Sequence, residues 1–242
     1  MEGAYSRENV RVSRAGLNKE PDDVSKMFDG VAKRYDLLND LLSLGRTKAW
    51  RKVVTSVIAP HKGMEILDIA AGTGSSSRPL ADRGAHVIPL DFSPGMLASG
   101  KKRHPDLDFT QGDALNLPFT DSEFDVTTIS FGLRNTADTK AALAEALRVT
   151  KSGGRIVVCE FSQPTNRIFR HIYMRYLMRA LPPVARKLSN NPEAYIYLAE
   201  SIIAWPNQVD LAEIMKAAGW KRVGWQNLTF GIVAIHIGHA EK

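Results

Sequence analysis

Residues Glu65 to Asp91 read E-I-L-D-I-A-A-G-T-G-S-S-S-R-P-L-A-D-R-G-A-H-V-I-P-L-D, and their order decides the fold. Glu65 to Ile69 predicts a buried strand, Ala70 to Gly74 a turn of small residues, and the next ten or so residues a helix. A second strand follows and ends on an acid. Strand, glycine turn, helix and strand make half of a nucleotide-binding sheet. Glycine lacks Cβ, so the backbone at Gly72 and Gly74 can approach a ligand. Asp91 stands about twenty residues past the turn, where an acid at a strand end accepts hydrogen bonds from a ribose diol. A bare strand–helix turn with a solvated aspartate has the same letters, but the strand–turn–helix context favours a ligand site.

The turn also narrows the ligand. A dinucleotide fingerprint wants a third glycine, and Ser77 stands there instead. No lysine follows Gly74, which argues against a phosphate loop. The pattern Asp68-x-Ala70-x-Gly72-Thr73-Gly74 resembles the first motif of the class I S-adenosylmethionine (SAM) methyltransferases. The resemblance implies that Asp68 lies near the cationic amino end of the methionine, with the glycine turn beneath it. Ala70 departs from the commonest version, which has glycine there; so small a side chain is expected to disturb little.

The chain has 242 residues, enough for one α/β domain with a substantial core. Its 44% hydrophobic and 24% charged content is that of a globular protein. One cysteine, Cys159, excludes an internal disulfide and a CxxC pair, and its place in Ile156-Val157-Val158-Cys159 suits a buried thiol. No metal is expected. No apolar run approaches the roughly 18 residues of a membrane span, and the first thirty residues lack a secretory apolar core. A cytoplasmic protein is therefore expected. The net charge of +6 is too dispersed to argue for nucleic acid.

Residues 1–21 mix charges without an apolar period and predict a flexible tail, leaving 22–242 as a single domain. From Asp22, Val24, Met27, Phe28, Val31, Tyr35, Leu38, Leu41 and Leu42 step as one helical stripe. A second helix spans about Thr47 to Ile58, so 22–60 would form lid helices over the ligand pocket. Ser93-Pro94 opens a helix to about Arg103. Strands are expected at Leu107–Gln111, Phe124–Ser130 and Arg155–Phe161, with a helix over Ala137–Val149 and a turn at Lys151–Gly154. Residues 164–218 read as a helical insertion, and Lys221–Phe230 with Gly231–Ile237 as a closing antiparallel pair. The expected fold is thus α/β, Rossmann-like, with a mostly parallel seven-stranded sheet. Ligands of such a sheet bind beyond the carboxyl ends of its strands. The loops at Ala70–Gly74, Asp91–Phe92, Asp113–Ala114, Ser130–Asn135 and Glu160–Gln163 should then form one site.

Several further blocks are more specific. Val31-Ala32-Lys33-Arg34-Tyr35-Asp36-Leu37-Leu38-Asn39-Asp40, Thr128-Ile129-Ser130-Phe131-Gly132-Leu133-Arg134-Asn135, Glu160-Phe161-Ser162, Tyr195-Ile196-Tyr197-Leu198-Ala199-Glu200-Ser201-Ile202 and Asn227-Leu228-Thr229 resemble the ubiquinone/menaquinone biosynthesis C-methyltransferase family, closest to its menaquinone branch. The resemblance covers about residues 23 to 238. It implies SAM contacts at Thr73, Asp91, Asp113, Ala114 and Ser130, beside Asp68, Gly72 and Gly74. Asp113 would accept from the adenine amino group, and Ala114 would leave room for the ring. Ser75 replaces an acid that often follows the turn, and Asp113 replaces a frequent asparagine.

The implied reaction is C-methylation of a prenylated naphthoquinol, whose ring carbon becomes nucleophilic when a neighbouring phenol loses its proton. Arg134 would stabilise that oxygen, Asn135 would bond the second ring oxygen, and Tyr35 would orient the ring or relay a proton. Arg134 and Asn135 also suit a helix cap, and Tyr35 a core position. The six histidines are scattered and none stands out as the base; a bound water is one alternative. Along 167–181, Arg167, His171, Arg175 and Arg179 step by four among apolar residues. Such a basic amphipathic helix suits peripheral association with an anionic membrane at the inner face of the cell membrane, or a core helix with a solvated edge. Another small apolar acceptor, or a SAM-binding scaffold without catalysis, remains open, as does a homo-oligomer.

Overall fold

The computed structural model describes residues 45–180 and 192–242, without the side chains of 180 and 192–195. The expected tail, the first lid helix and Tyr35 lie outside the described residues. A helix α1 (Thr47–Ile58) precedes β1 (Glu65–Ile69), followed by α2 (Arg78–Ala81), β2 (His86–Asp91), α3 (Pro94–Arg103) and β3 (Thr110–Gln111). Next come β4 (Phe124–Ser130), α4 (Thr139–Val149), β5 (Thr150–Phe161) and α5 (Arg167–Arg175), which widens into a π turn at Tyr176–Ala180. The chain closes with α6 (Pro192–Ala204), α7 (Gln208–Ala217), β6 (Lys221–Leu228) and β7 (Val233–His239).

The seven strands lie in the order β3-β2-β1-β4-β5-β7-β6. β7 runs antiparallel to both neighbours, and the other adjacent pairs are parallel. Strand order reverses between β1 and β4, and the crevice beyond their carboxyl ends is where such sheets bind ligands. Two apolar layers cover the sheet. Trp50, Val54 and Ile58 of α1 pack with Leu80 on Ile66, Val126, Val157 and Ile235. Leu143 and Ala146 of α4 and Leu211 and Met215 of α7 pack with Trp220 on the opposite side, with Leu67, Ile129 and Ile156. Cys159 is fully buried, and burial pushes its thiol pKa up.

β6 ends at Leu228 and β7 starts at Val233, two residues from their expected bounds, with a 3₁₀ turn at Thr229–Gly231 between them. Three other elements differ from their sequence expectation, each for a local reason. The helix after the glycine turn is only four residues long. Serine is a poor helix former, Ser76 and Ser77 turn their hydroxyls to Asp68, and Pro79 brings no N–H. β3 keeps two of five expected residues, because Leu107 and Phe109 instead pack against Leu97 of α3. β5 begins at Thr150, opposite Phe124, and the expected turn survives inside it as a bulge before Arg155 pairs with Val126. Gly153 takes φ +80 there, with its N–H on the Ala240 carbonyl.

Candidate active site

The first cluster of the candidate site is built at the end of β1. Asp68 is completely buried, and its Oδ2 accepts from Ser76 Oγ at 2.7 Å and Ser77 Oγ at 2.6 Å. Its Oδ1 is equally buried and makes no hydrogen bond. Desolvation pushes the carboxyl up to about 6; the two serine hydroxyls pull the other way, and nearby Asp91 adds to the rise. A carboxylate held this way is short of one partner, and an ammonium group would supply it. Ser77, which breaks the dinucleotide fingerprint, is thus part of the acid's support.

The two glycines of the turn meet different demands. Gly72 has φ +58, and a Cβ on it would meet only Met96 Sδ at 4.0 Å, so the space above it is open to a ligand. Gly74 has φ +76, and a Cβ there would strike the Phe109 ring, 2.6 Å from Cζ. Its bareness serves packing. Thr73 is buried between them, its Oγ1 3.0 Å from Ser75 Oγ. Asp91 fastens the turn to the next strand: Oδ2 accepts from Gly72 N at 2.7 Å and Oδ1 from Ser93 N at 2.9 Å. A carboxylate oxygen can accept more than one hydrogen bond, which suits a ribose diol at this strand end. Exposed Phe92 follows. Asp113 lies beyond β3 with Oδ1 accepting from Leu115 N at 2.9 Å, and Ala114 beside it is half-buried.

Ala70 carries strain where the sequence suggests little. It has φ +55, the left-handed region that costs an L-residue about 1–2 kcal/mol. Asp68 pairs with Thr128 and Ile69 with Ile129 across β1 and β4, so both chains leave the sheet side by side. A Cβ on Gly132 would collide with that of Ala70. The Ala70 methyl thus takes up space that only a glycine at 132 leaves open.

Beyond Ser130, at the end of β4, the second cluster begins. Phe131 has φ +60, and Leu133–Asn135 forms a single 3₁₀ turn. Arg134 is only 4% exposed, and its Nη1 lies 2.9 Å from Glu160 Oε1, itself 1% exposed. Glu160 Oε2 accepts from Arg134 N, and Oε1 from Phe161 N at 2.7 Å. The guanidinium also donates to the Phe131 carbonyl and lies 5.2 Å from the Phe161 ring centre. Arg134 Nε is buried without a hydrogen bond. Asn135 Oδ1 accepts from the Tyr197 hydroxyl at 3.2 Å, which orients the amide so that its NH₂ is directed elsewhere. Burial raises the Tyr197 and Tyr173 phenols, against the pull of Arg134 on both. Trp50, Phe131 and Phe161 complete an aromatic wall, with centroids 5.2–6.3 Å apart.

The structure therefore gathers Asp68, Gly72, Thr73, Gly74 and Asp91 at one turn, and Ser130, Arg134 and Asn135 at the neighbouring strand end. Sequence reasoning gave no role to Glu160, Tyr197, Ser76 or Trp50. Glu160 had the same signal as Asp91, an acid closing a buried strand. Among the described residues no cluster of three His, Cys, Asp or Glu side chains is placed to hold a metal.

The fold is shared with proteins of different chemistry. A 4+2 cyclase, SpnF, superposes with TM-score 0.67 at 16% identity, covering 90% of this chain and 95% of its own. Phosphoethanolamine N-methyltransferase 2 of Haemonchus contortus, in complex with S-adenosyl-L-methionine, superposes with TM-score 0.61 at 15% identity over 82% of this chain and 53% of its own. Such likeness fixes architecture and leaves the reaction open. Sequence likeness goes further. A demethylmenaquinone methyltransferase of Streptomyces avermitilis is 59% identical over 227 residues, 94% of this chain and 98% of its own. The profile of the ubiE/COQ5 methyltransferase family matches residues 15–240, spanning both clusters. With the match running nearly end to end, the chain belongs to the ubiE/COQ5 methyltransferase family.

Proposed function

We propose that this methyltransferase converts demethylmenaquinol to menaquinol, the last step of menaquinone biosynthesis. The near full-length 59% identity to a demethylmenaquinone methyltransferase carries the reading. S-adenosylmethionine is the methyl donor, and its sulfonium supplies an electrophilic methyl for in-line displacement. On this reading Asp68 receives the ammonium group on its unpartnered Oδ1, and Gly72 and Thr73 carry the methionine across the turn. Asp91 takes the ribose hydroxyls, Asp113 and Ala114 the adenine, and Ser130 lines the pocket from β4.

The acceptor ring must be held in near-attack geometry and made nucleophilic. The wall of Trp50, Phe131 and Phe161 suits a flat apolar ring. Arg134 meets the developing phenolate. Its charge is offset by Glu160, so it acts by directed hydrogen bonding more than by net field. Asn135, oriented by Tyr197, donates its NH₂ to the second ring oxygen. Tyr35, which lies outside the described residues, is assigned to the same acceptor on the strength of the sequence block that holds it. The substrate is lipid-tailed, so the enzyme works in the cytoplasm at the inner face of the cell membrane, held peripherally.

The test is direct. Purified protein with SAM and demethylmenaquinol should yield menaquinol by mass spectrometry; no product above a no-enzyme control refutes the assignment. Trying ubiquinone precursors, sterols and simple phenols alongside separates it from another acceptor. A non-catalytic scaffold would bind SAM and turn over none of them.

A further inference from the structure

We propose that Phe230 and the outward face of α5 form one preformed docking surface for an anionic lipid bilayer, with Phe230 as its inserting side chain. This deepens the peripheral attachment offered above and rests on that reading. Phe230 is 78% exposed, the most exposed large apolar side chain among the described residues. It holds a left-handed backbone, φ +58, as does Thr229 beside it at φ +48. Two consecutive non-glycine residues in that region are costly, and a solvated aromatic ring at the tip offsets none of it in water.

The surroundings fix the ring in place. Its neighbour Gly231 has a backbone that a Cβ would crowd against Thr165 N and the Gln163 carbonyl. Buried Gln208 ties Gln163 O and Asn227 Oδ1 together, each at 3.0 Å, and Ser162 N donates to Ile232 O at 2.8 Å. Trp50 Nε1 donates to Thr229 Oγ1 at 2.8 Å. These bonds fasten the β6–β7 turn to the segment that leads into α5. The Phe169 ring of α5 then packs against Phe230, centroids 5.6 Å apart.

The rest of α5 supplies charge of one sign. No residue of this helix is fully buried; Ile168 is 74% and Ile172 59% exposed, beside exposed Arg167, His171 and Arg175. No Asp or Glu occurs anywhere between Glu160 and Glu193. Exposed apolar side chains interleaved with arginines, on a stretch of chain without an acid, match lipid phosphates above an acyl boundary. On the inner side, Phe161 and Tyr173 pack together in the apolar cluster around Leu177, and Phe161 also belongs to the acceptor wall. The docking surface therefore adjoins the place where a quinol ring is held.

The experiment uses the full chain, sedimented with vesicles of phosphatidylcholine, with and without phosphatidylglycerol, at low and high salt. The wild type should pellet only with the anionic vesicles and be released by salt. Phe230→Asp and, separately, Ile172→Asp should weaken that partitioning about tenfold or more. Both should retain wild-type melting, SAM affinity and turnover of a tail-less, water-soluble naphthoquinol. Phe230→Trp should give a blue-shifted emission on vesicle addition. Equal pelleting with uncharged vesicles, no pelleting of the wild type, or full binding by both Asp variants overturns the proposal. Turnover of the tail-less substrate reports on the reaction separately, so either assignment can fail alone.

Discussion

Replacing Asp68 with Asn sets folding against cofactor binding, and the size of each effect follows from the burial of one carboxylate. Its pKa rises from 3.8 to about 6, which corresponds to about 3 kcal/mol of penalty on the charged form. An acid with a raised folded-state value gives stability in full below the unfolded value and loses it as pH climbs through the folded one. Wild-type protein without SAM should therefore lose stability between about pH 4 and pH 6. The amide of the variant carries no charge, so that slope should vanish from its own stability profile. Its oxygen still accepts from Ser76 and Ser77, whose pull on the charged form is already part of the net shift. The gain at pH 8 is therefore about 3 kcal/mol, or about 6–12 °C in melting temperature for a chain of this size. At pH 4 the variant should gain nothing. With SAM the advantage should be cancelled, because the ammonium group loses its charged partner and affinity should fall about 100-fold. Thermal melts across pH, with and without SAM, and calorimetric titration read both effects. An Asp68→Asn protein that melts lower than wild type at pH 8 without SAM would falsify the desolvation argument.

Other outcomes are equally specific. Ala70→Gly should be neutral or stabilising by up to about 1 kcal/mol in chemical denaturation, since it relieves a left-handed alanine. Gly132→Ala alone should cost about 2 kcal/mol or more, and adding Ala70→Gly should restore most of it; additivity in the double variant would refute the contact. Arg134→Met should destabilise by about 3–5 kcal/mol by stranding Glu160, with Glu160→Gln recovering stability but not turnover. Tyr197→Phe should lower kcat while leaving SAM affinity unchanged, because it frees the Asn135 amide to rotate. Cys159 should resist thiol reagents in the native protein and react on unfolding.

Much of this fold was legible because parallel-sheet strands are continuous apolar runs and their caps are local. Glu65–Ile69, His86–Asp91 and Phe124–Ser130 fall where periodicity puts them, and Ser93 caps Pro94–Arg103 through Met96 N as expected. The errors lie where side chains answer to distant partners. Three serines look like the start of a helix until Asp68 claims two hydroxyls. Leu107 and Phe109 alternate like a strand until the bare Cα atoms of Gly74 and Gly100 admit the Phe109 ring. Of the candidate site, the strand-end positions, Glu160 among them, could be read from spacing as lying at one end of the sheet. Glu160 and Tyr197 could not be given roles, because their meaning depends on Arg134 and Asn135, 26 and 62 residues away along the chain.

With the acceptor ring placed against it as proposed, the buried Arg134–Glu160 pair would have a consequence for selectivity. Together the two side chains form a wall that is polar in detail yet electrically balanced. An uncharged quinol can settle against it and exchange water for directed hydrogen bonds. An acceptor bearing a permanent charge would have to shed its hydration and find no counter-charge in return, at a cost of several kcal/mol. The chain carries a net charge of +6, but this neutralised pair adds none of it. On the proposed placement, choice among acceptors would be exercised by refusal: charged metabolites would be turned away, and lipid-soluble rings left as the guests the site can hold.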